Sequence, residues 1–234
     1  MSGHAAIPAT GRPRAPVDIH SRRGWPGAAG QGMNAGKRLR WRFQNLLWDS
    51  VLGISTRGIY GVKTPGIGRY MTLPYPTTFA ILRRLSLTPR DTLLDIGCGK
   101  GRMICCASLF APLRVIGIEL SSALCAIAER NVARLRRRKA PIIVANALAQ
   151  EFDYRGADVL YFYNSFGPPT LDAVLARIEE SIRDEGRSIR FVYANPMHEQ
   201  ALKARSWLEQ YDELHPDHDD RVAVRVSFWK SRVG

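Results

Sequence analysis

No apolar run in this 234-residue chain approaches the ~20 residues that a membrane-spanning helix requires, so a helical span is not expected. Cysteine is scarce. Cys98, Cys105, Cys106 and Cys125 have neither the paired spacing of a zinc site nor that of a disulfide framework, which fits a reducing, cytoplasmic setting. The first residues lack the apolar core of a secretory signal. Acids are short relative to bases, 21 against 34, giving a formal net charge of +13. The deficit is concentrated at the start. Residues 1–42 hold Arg12, Arg14, Arg22, Arg23, Lys37, Arg38, Arg40 and Arg42 against the single acid Asp18. The remainder is mildly basic, so a nucleic-acid partner is possible but not favoured by charge alone.

What is present divides into three. Residues 1–33, rich in Gly, Ala, Pro and Arg without periodicity, are expected to be a disordered basic tail. Met33 is an alternative start and an organelle transit peptide an alternative reading. Residues 34–75 are expected to form an N-terminal helix and loop covering the site. Leu39, Phe43, Leu46, Leu47 and Val51 recur at helical spacing, with Asn34 as a cap and Gly53 as a stop. That pattern predicts an amphipathic helix docking its apolar face on the domain, with membrane-surface binding as the alternative. A glycine-studded stretch follows to Tyr75. Residues 76–234 then form the domain proper, opening with a short helix entered at Pro76.

From Thr92 onward strands and helices alternate. Strands are expected near 92–96, 114–118, 141–145, 158–163 and 188–194, and helices near 100–110, 121–138, 169–184 and 197–210. Alternation of this kind means crossover connections and a parallel sheet covered on both faces. The tail, 211–215 and 222–229, reads as a closing antiparallel hairpin.

The stretch Asp95-Ile96-Gly97-Cys98-Gly99-Lys100-Gly101 is a strand running into a tight turn and a helix N-terminus. Such a turn is expected to bring its backbone close to a ligand, with free N–H groups aimed at it. An acid about 20 residues on, here Glu119, can accept both hydroxyls of a ribose. A dinucleotide fingerprint needs Gly at position 102, where Arg102 stands, and Asp95 would repel a pyrophosphate. An acid before the turn suits a ligand carrying an ammonium group, which favours S-adenosylmethionine.

With D-x-G-x-G-x-G, Glu119 and the later strands, the chain resembles the class I, seven-stranded S-adenosylmethionine-dependent methyltransferases over roughly residues 72–230. The resemblance implies a Rossmann-like, doubly wound α/β fold, a mostly parallel seven-stranded sheet with a C-terminal antiparallel hairpin. It implies S-adenosyl-L-methionine as cofactor, held by Asp95, Gly97, Cys98, Gly99, Gly101 and Glu119. Leu120 would pack on the adenine, Asn146 and Ala147 would meet its edge, and Tyr75 would lie where related lysine methyltransferases close a loop over the cofactor.

The fourth strand ends Tyr163-Asn164-Ser165-Phe166-Gly167-Pro168 at the expected active edge. Asn164 can orient an amine N–H and Phe166 can wall a methylated cation; helix capping is the other reading of Asn164. The segment is similar to the N-P-P-F/Y motif of amino methyltransferases and to a stretch of the non-SET histone lysine methyltransferases. It looks closest to bacterial methyltransferases with an N-P-F-G version, from which Ser165 departs. His198, in Asn195-Pro196-Met197-His198 after the fifth strand, is a candidate base, with Asn195 expected to cap the next helix. The histidines and acids of 215–220 read as a solvated turn, and no metal site is expected. These residues predict N-methylation of a protein side-chain amine or small amine. The alternatives are O- or C-methylation of a small molecule, and a catalytically inactive fold binding RNA or membrane through its basic head.

Overall fold

The computed structural model describes residues 35–57 and 70–232. The expectations for the tail at 1–33, for Met33, for the Asn34 cap and for the glycine-rich stretch 58–69 lie outside the described residues. Seven strands form one sheet: β1 (Thr92–Ile96), β2 (Arg114–Glu119), β3 (Ile142–Asn146), β4 (Val159–Tyr163), β5 (Arg190–Ala194), β6 (Leu208–Leu214) and β7 (Val226–Ser231). Their spatial order is β3-β2-β1-β4-β5-β7-β6. The first five strands pair in parallel, while β7 runs antiparallel to both β5 and β6. The helices are α1 (Ala35–Leu52), α2 (Tyr75–Leu85), α3 (Arg102–Ala107), α4 (Ser122–Arg134), α5 (Pro168–Glu185) and α6 (Glu199–Lys203).

Strand alternation sorts the core into two layers. Leu93, Val115, Val159, Tyr161, Val192 and Phe228 pack with Phe79, Ile81 and Leu82 of α2 and Ile104 of α3. Leu94, Ile96, Leu160, Phe162 and Phe191 pack instead with Leu171, Val174, Leu175 and Ile178 of α5. Both faces are thereby covered, as a parallel sheet requires.

Three expectations are corrected. The helix expected over 121–138 stops at Arg134, because Leu135 turns extended, Arg136 N donates to Leu52 O at the end of α1, and Arg137 takes φ 62°. The helix expected over 197–210 shrinks to α6, since Leu208 is buried as a strand residue paired with Ser231 and the closing hairpin starts there. The third concerns α1. Its apolar residues Leu39, Phe43, Leu46 and Leu47 face solvent, and the helix docks through Trp41, Asp49 and Leu52, with Trp48 packed on Phe79 at 4.7 Å between ring centroids. A buried acid outweighs the apolar stripe because its partners, Arg102 and Tyr75, wait inside.

Candidate active site

Strand order reverses between β1 and β4, so a crevice opens at their C-terminal ends. The turn leaving β1 bends sharply because Gly97, Gly99 and Gly101 take φ of 84°, 56° and 84°. A Cβ on Gly97 would lie 2.7 Å from Ser165 Oγ, and one on Gly99 would lie 2.7 Å from Cδ2 of Tyr70. Both glycines are thus required twice, by backbone conformation and by what packs against them.

The N–H groups of this turn are not free, which corrects the expectation that they address the ligand. Gly97 N and Cys98 N both donate to Ile118 O (2.8 and 2.9 Å), Gly101 N donates to Cys98 O (2.8 Å), and Gly99 N donates to the Glu119 carboxylate (2.9 Å). The second Glu119 oxygen accepts from Ser121 N at 2.8 Å. The turn is therefore a rigid shelf tied to β2, and a pyrophosphate would meet carboxylates there. Burial raises the Glu119 pKa, with the Ser121 and Gly99 N–H groups pulling the other way. Burial, then the neighbouring Glu119 charge, holds the Asp95 carboxyl well above the usual range.

Beyond Glu119 the shelf continues outward. Asn146 Nδ2 donates to Glu119 O (2.8 Å) and Leu120 O (2.9 Å), which leaves its carbonyl oxygen outward. Leu120 is exposed beside it, and Ala147 N donates to Glu119 O at 3.1 Å. These three residues present one edge and one apolar face, as a purine needs.

At the end of β4, Asn164 takes φ 40° and its Oδ1 accepts from the Tyr193 hydroxyl at 3.1 Å. The same hydroxyl accepts from His198 N at 3.1 Å. Tyr193, which sequence reasoning passed over, thus joins Asn164 to the segment carrying His198. Asn164 is not a helix cap, since Gly167 caps α5. Nor does Asn195 cap α6: it takes φ 52°, and His198 precedes that helix without a side-chain capping bond. Phe166 stacks on Phe162 at 5.7 Å, on the α5 side of the sheet, so it does not wall the crevice. Tyr161 and Tyr163 do. The Tyr163 hydroxyl is buried with no hydrogen-bond partner among the described residues, and burial pushes its pKa up to about 12.

The cover over the shelf is held by polar side chains whose pairing no local pattern foretells. Arg102, 3% exposed, donates to Thr56 Oγ1 (2.8 Å), Asn45 Oδ1 (3.1 Å) and Leu73 O (2.6 Å), and its guanidinium lies 4.0 Å from the Asp49 carboxylate. Asp49 also accepts from Thr56 Oγ1 (2.9 Å), Arg57 Nε (3.0 Å) and the Tyr75 hydroxyl (2.6 Å). Asn131 of α4 accepts from Ser55 N (2.9 Å) and donates to Ser55 O (3.1 Å) and Lys100 O (2.8 Å). Tyr75 is accordingly a fully buried member of this network and not a residue of the cofactor surface, a correction to the expectation above. Its place over the turn is taken by Tyr70, whose hydroxyl donates to Thr56 O at 3.0 Å. One signal was available: Asp49 is the sole acid in an otherwise basic helix.

Under this cover, Asp95, Gly97, Cys98, Tyr70, Tyr161 and Tyr163 line a cavity of about 30 Å³. That is room for a water, whereas small-molecule pockets run to about 300–1,000 Å³. A wider hollow of about 560 Å³ lies at the opposite end of the strands, beside Asp91, Asp158 and Arg190, away from the crevice.

Residues 93–186 match a family model described as a methyltransferase domain. No curated protein matches the chain. Solved structures with the same fold include a precorrin-6y C5,15-methyltransferase from Geobacter metallireducens GS-15, with 14% identity, 78% of this chain and 98% of that one covered, and a TM-score of 0.54. An RNA methyltransferase from Salinibacter ruber, in complex with S-adenosyl-L-homocysteine, aligns at 19% identity over 70% of this chain and 95% of its own, with a TM-score of 0.51. A ribosomal protein L11 methylase from Lactobacillus delbrueckii subsp. bulgaricus gives 14% identity, 67% and 77% coverage, and a TM-score of 0.51. At such identities the likeness is one of fold: the chain has the seven-stranded fold of class I S-adenosylmethionine-dependent methyltransferases, and residues 93–186 within it match the methyltransferase domain.

Proposed function

We propose that the chain methylates an amine, on a protein side chain or a small molecule. The observation that carries this reading is the wall of the crevice: Tyr70, Tyr161, Tyr163 and the Asp95 carboxylate surround one cavity behind the glycine turn. The tyrosine faces suit the cation formed when an amine is methylated, while Asp95 is left for the ammonium group of the cofactor. Tyr163, pushed up to about 12, keeps its proton at neutral pH and offers a hydrogen bond rather than a base. An oxygen acceptor needs a base near neutrality, and among the described residues no histidine lines this cavity.

The cofactor supplies a methyl group activated on a sulfonium. In this reading Glu119 accepts from the ribose hydroxyls, Asp95 faces the ammonium group, and Leu120, Asn146 and Ala147 receive the adenine. Gly97, Cys98, Gly99 and Gly101 form the shelf. Asn164, oriented by Tyr193, accepts an N–H of the acceptor and turns the nitrogen lone pair toward the methyl carbon. The new C–N bond takes the place of the C–S bond, whose electron pair stays on sulfur, and the ammonium proton leaves to solvent. Residues 45–57 and 70–75 act as a cover, and the small cavity supports a step in which Tyr70–Leu73 move aside for the methionine end. Methylation of an oxygen with His198 as base is the second reading; the bond from His198 N to Tyr193, next to Asn164, favours it over other positions for a base.

The test is incubation with methyl-labelled S-adenosylmethionine and a cell lysate, followed by sorting of the label into protein, RNA and small molecules and hydrolysis to the methylated group. Label recovered as an N-methyl amine is expected. Label confined to ether, ester or ring-carbon products, abolished by His198→Ala and retained in Asn164→Ala, would transfer the assignment to the second reading.

A further inference from the structure

Helix α1 shows solvent the face that its sequence marks for burial. Leu39, Phe43, Leu46 and Leu47 are 69, 64, 44 and 49% exposed and share one side of the helix by their spacing. Exposed Arg38 and Arg42 flank this stripe on one side and Arg40 on the other. Lys37 and Arg40 pair with Asp220, whereas Arg38 and Arg42 have no acidic partner among the described residues. The one acid of the helix, Asp49, is turned inward. Where α1 ends, the bond from Arg136 N to Leu52 O draws up the exposed cations Arg134, Arg136, Arg137, Arg138 and Lys139.

We propose that this face of α1 docks on an anionic lipid bilayer, with the apolar side chains in the headgroup–acyl boundary and the arginines on lipid phosphates. Charge complementarity supports the occupant, because the surface combines an apolar stripe with cations, and the exposed acid beside it, Asp220, is already paired with Lys37 and Arg40. The stripe is mostly leucine, with Phe43 its only ring, so it offers little of the aromatic stacking that single-stranded nucleic acid uses. A second copy of the chain would set Arg38 and Arg42 against their own like charges. The contact is interfacial, for no helix among the described residues is long and apolar enough to cross a membrane. The inward face stays engaged throughout, since Asp49 and Trp41 are buried against the domain.

Co-sedimentation of the full chain with vesicles of phosphatidylcholine alone, and of phosphatidylcholine mixed with phosphatidylglycerol, tests this. Binding to the anionic vesicles alone is expected, weakening as salt is raised. The double substitutions Phe43→Ser with Leu47→Ser, and Arg38→Glu with Arg42→Glu, should each reduce it at least about tenfold. Calorimetric titration with S-adenosylhomocysteine on the same preparations should be unchanged, which shows that the variants are folded. Absence of vesicle binding, or binding that survives both double substitutions, overturns the proposal. So does an RNA oligonucleotide, or a second copy detected by sedimentation, that uses these residues while vesicles do not.

Discussion

The glycine turn and the cover above it lie against one another, yet they are held by opposite means. Gly97, Cys98 and Gly99 are bound to Ile118 O and to Glu119, a residue that ends the adjacent strand, so the shelf is fixed by the sheet itself. The cover is held by side chains from four separate segments that converge on one guanidinium and one carboxylate. Backbone pairing is distributed, and no one substitution removes it. A convergent polar cluster concentrates its energy, so a single change should release it. The difference teaches which part of the site can move.

The largest effect is therefore expected at Arg102. Arg102→Met roughly keeps the volume but strips Thr56 Oγ1, Asn45 Oδ1 and Leu73 O of their buried donor and leaves Asp49 only the half-exposed Arg57 as a cation, a loss of about 3–5 kcal/mol as for a buried pair deprived of one partner. Urea denaturation should show that loss, and Asp49→Asn added to Arg102→Met should recover part of it. Equal stability in Arg102→Met and the parent would show that the cover is held by its apolar contacts instead.

That contrast also explains what the sequence made legible. The strands of the turn region carry their fold in local pattern: Leu93 and Leu94 feed opposite core layers by simple alternation, and the glycines mark positive φ. The shelf residues Asp95, Glu119 and Asn146 could be named because strand ends and turn spacing put them in place. The cover could not be read this way. Its partners are far apart in the chain, Arg102 and Asn45 for instance, and helical periodicity chose the wrong face of α1 because hydropathy does not register a buried ion pair. The same blindness affected the end of β4. Asn164 and Phe166 are neighbours in sequence, but the left-handed Asn164 sends the aromatic ring to the α5 layer and leaves Tyr161 and Tyr163 as the wall.

On the shelf, Glu119→Gln tests the fixed half of the comparison. It keeps the shape but sets an NH2 donor where one oxygen accepted, so one of the bonds from Gly99 N and Ser121 N is lost, the other becomes neutral, and the pair proposed to face the ribose loses an acceptor. S-adenosylhomocysteine should bind about ten- to a hundredfold more weakly by calorimetry. Urea stability should fall by about 1–3 kcal/mol, less than in Arg102→Met, for the one buried N–H left unsatisfied. A fall in stability as large as that of Arg102→Met would mean that shelf and cover are one unit.

Asp95 separates binding from folding. Its folded pKa lies above the ordinary carboxylate value because burial and Glu119 disfavour the charge. A carboxyl of that kind stabilises the fold while protonated, and its contribution is lost as pH rises from the ordinary carboxylate range through the raised folded value. Asp95→Asn removes this dependence, so the variant should be more stable than the parent at neutral and alkaline pH and lose that advantage in acid. Cofactor affinity should move the other way, weakening in Asp95→Asn and, in the parent, improving as pH rises and the carboxylate ionises. Thermal melts across pH, paired with calorimetry, read both. Parallel pH profiles for the two proteins would place the titrating group elsewhere.

The smallest effect is expected at the point where cover meets shelf. Tyr70 leans over Gly99 and is tethered through its hydroxyl, which donates to Thr56 O, itself on a segment that Arg102 and Asn131 hold. Tyr70→Phe deletes the tether and keeps the ring, so the closed arrangement loses about 0.5–1.5 kcal/mol. If the cover must lift before the methionine end can enter, that loss reappears as tighter binding, by a factor of about 2 to 10, because the closed state no longer competes as strongly. Stopped-flow binding of S-adenosylhomocysteine should show a faster association with dissociation nearly unchanged. Slower association, or tighter binding through dissociation alone, would mean that Tyr70 belongs to the bound state as a wall of the crevice. The shelf and its cover would then close around the cofactor together, and the small cavity would be the bound form's own geometry rather than a barrier to it.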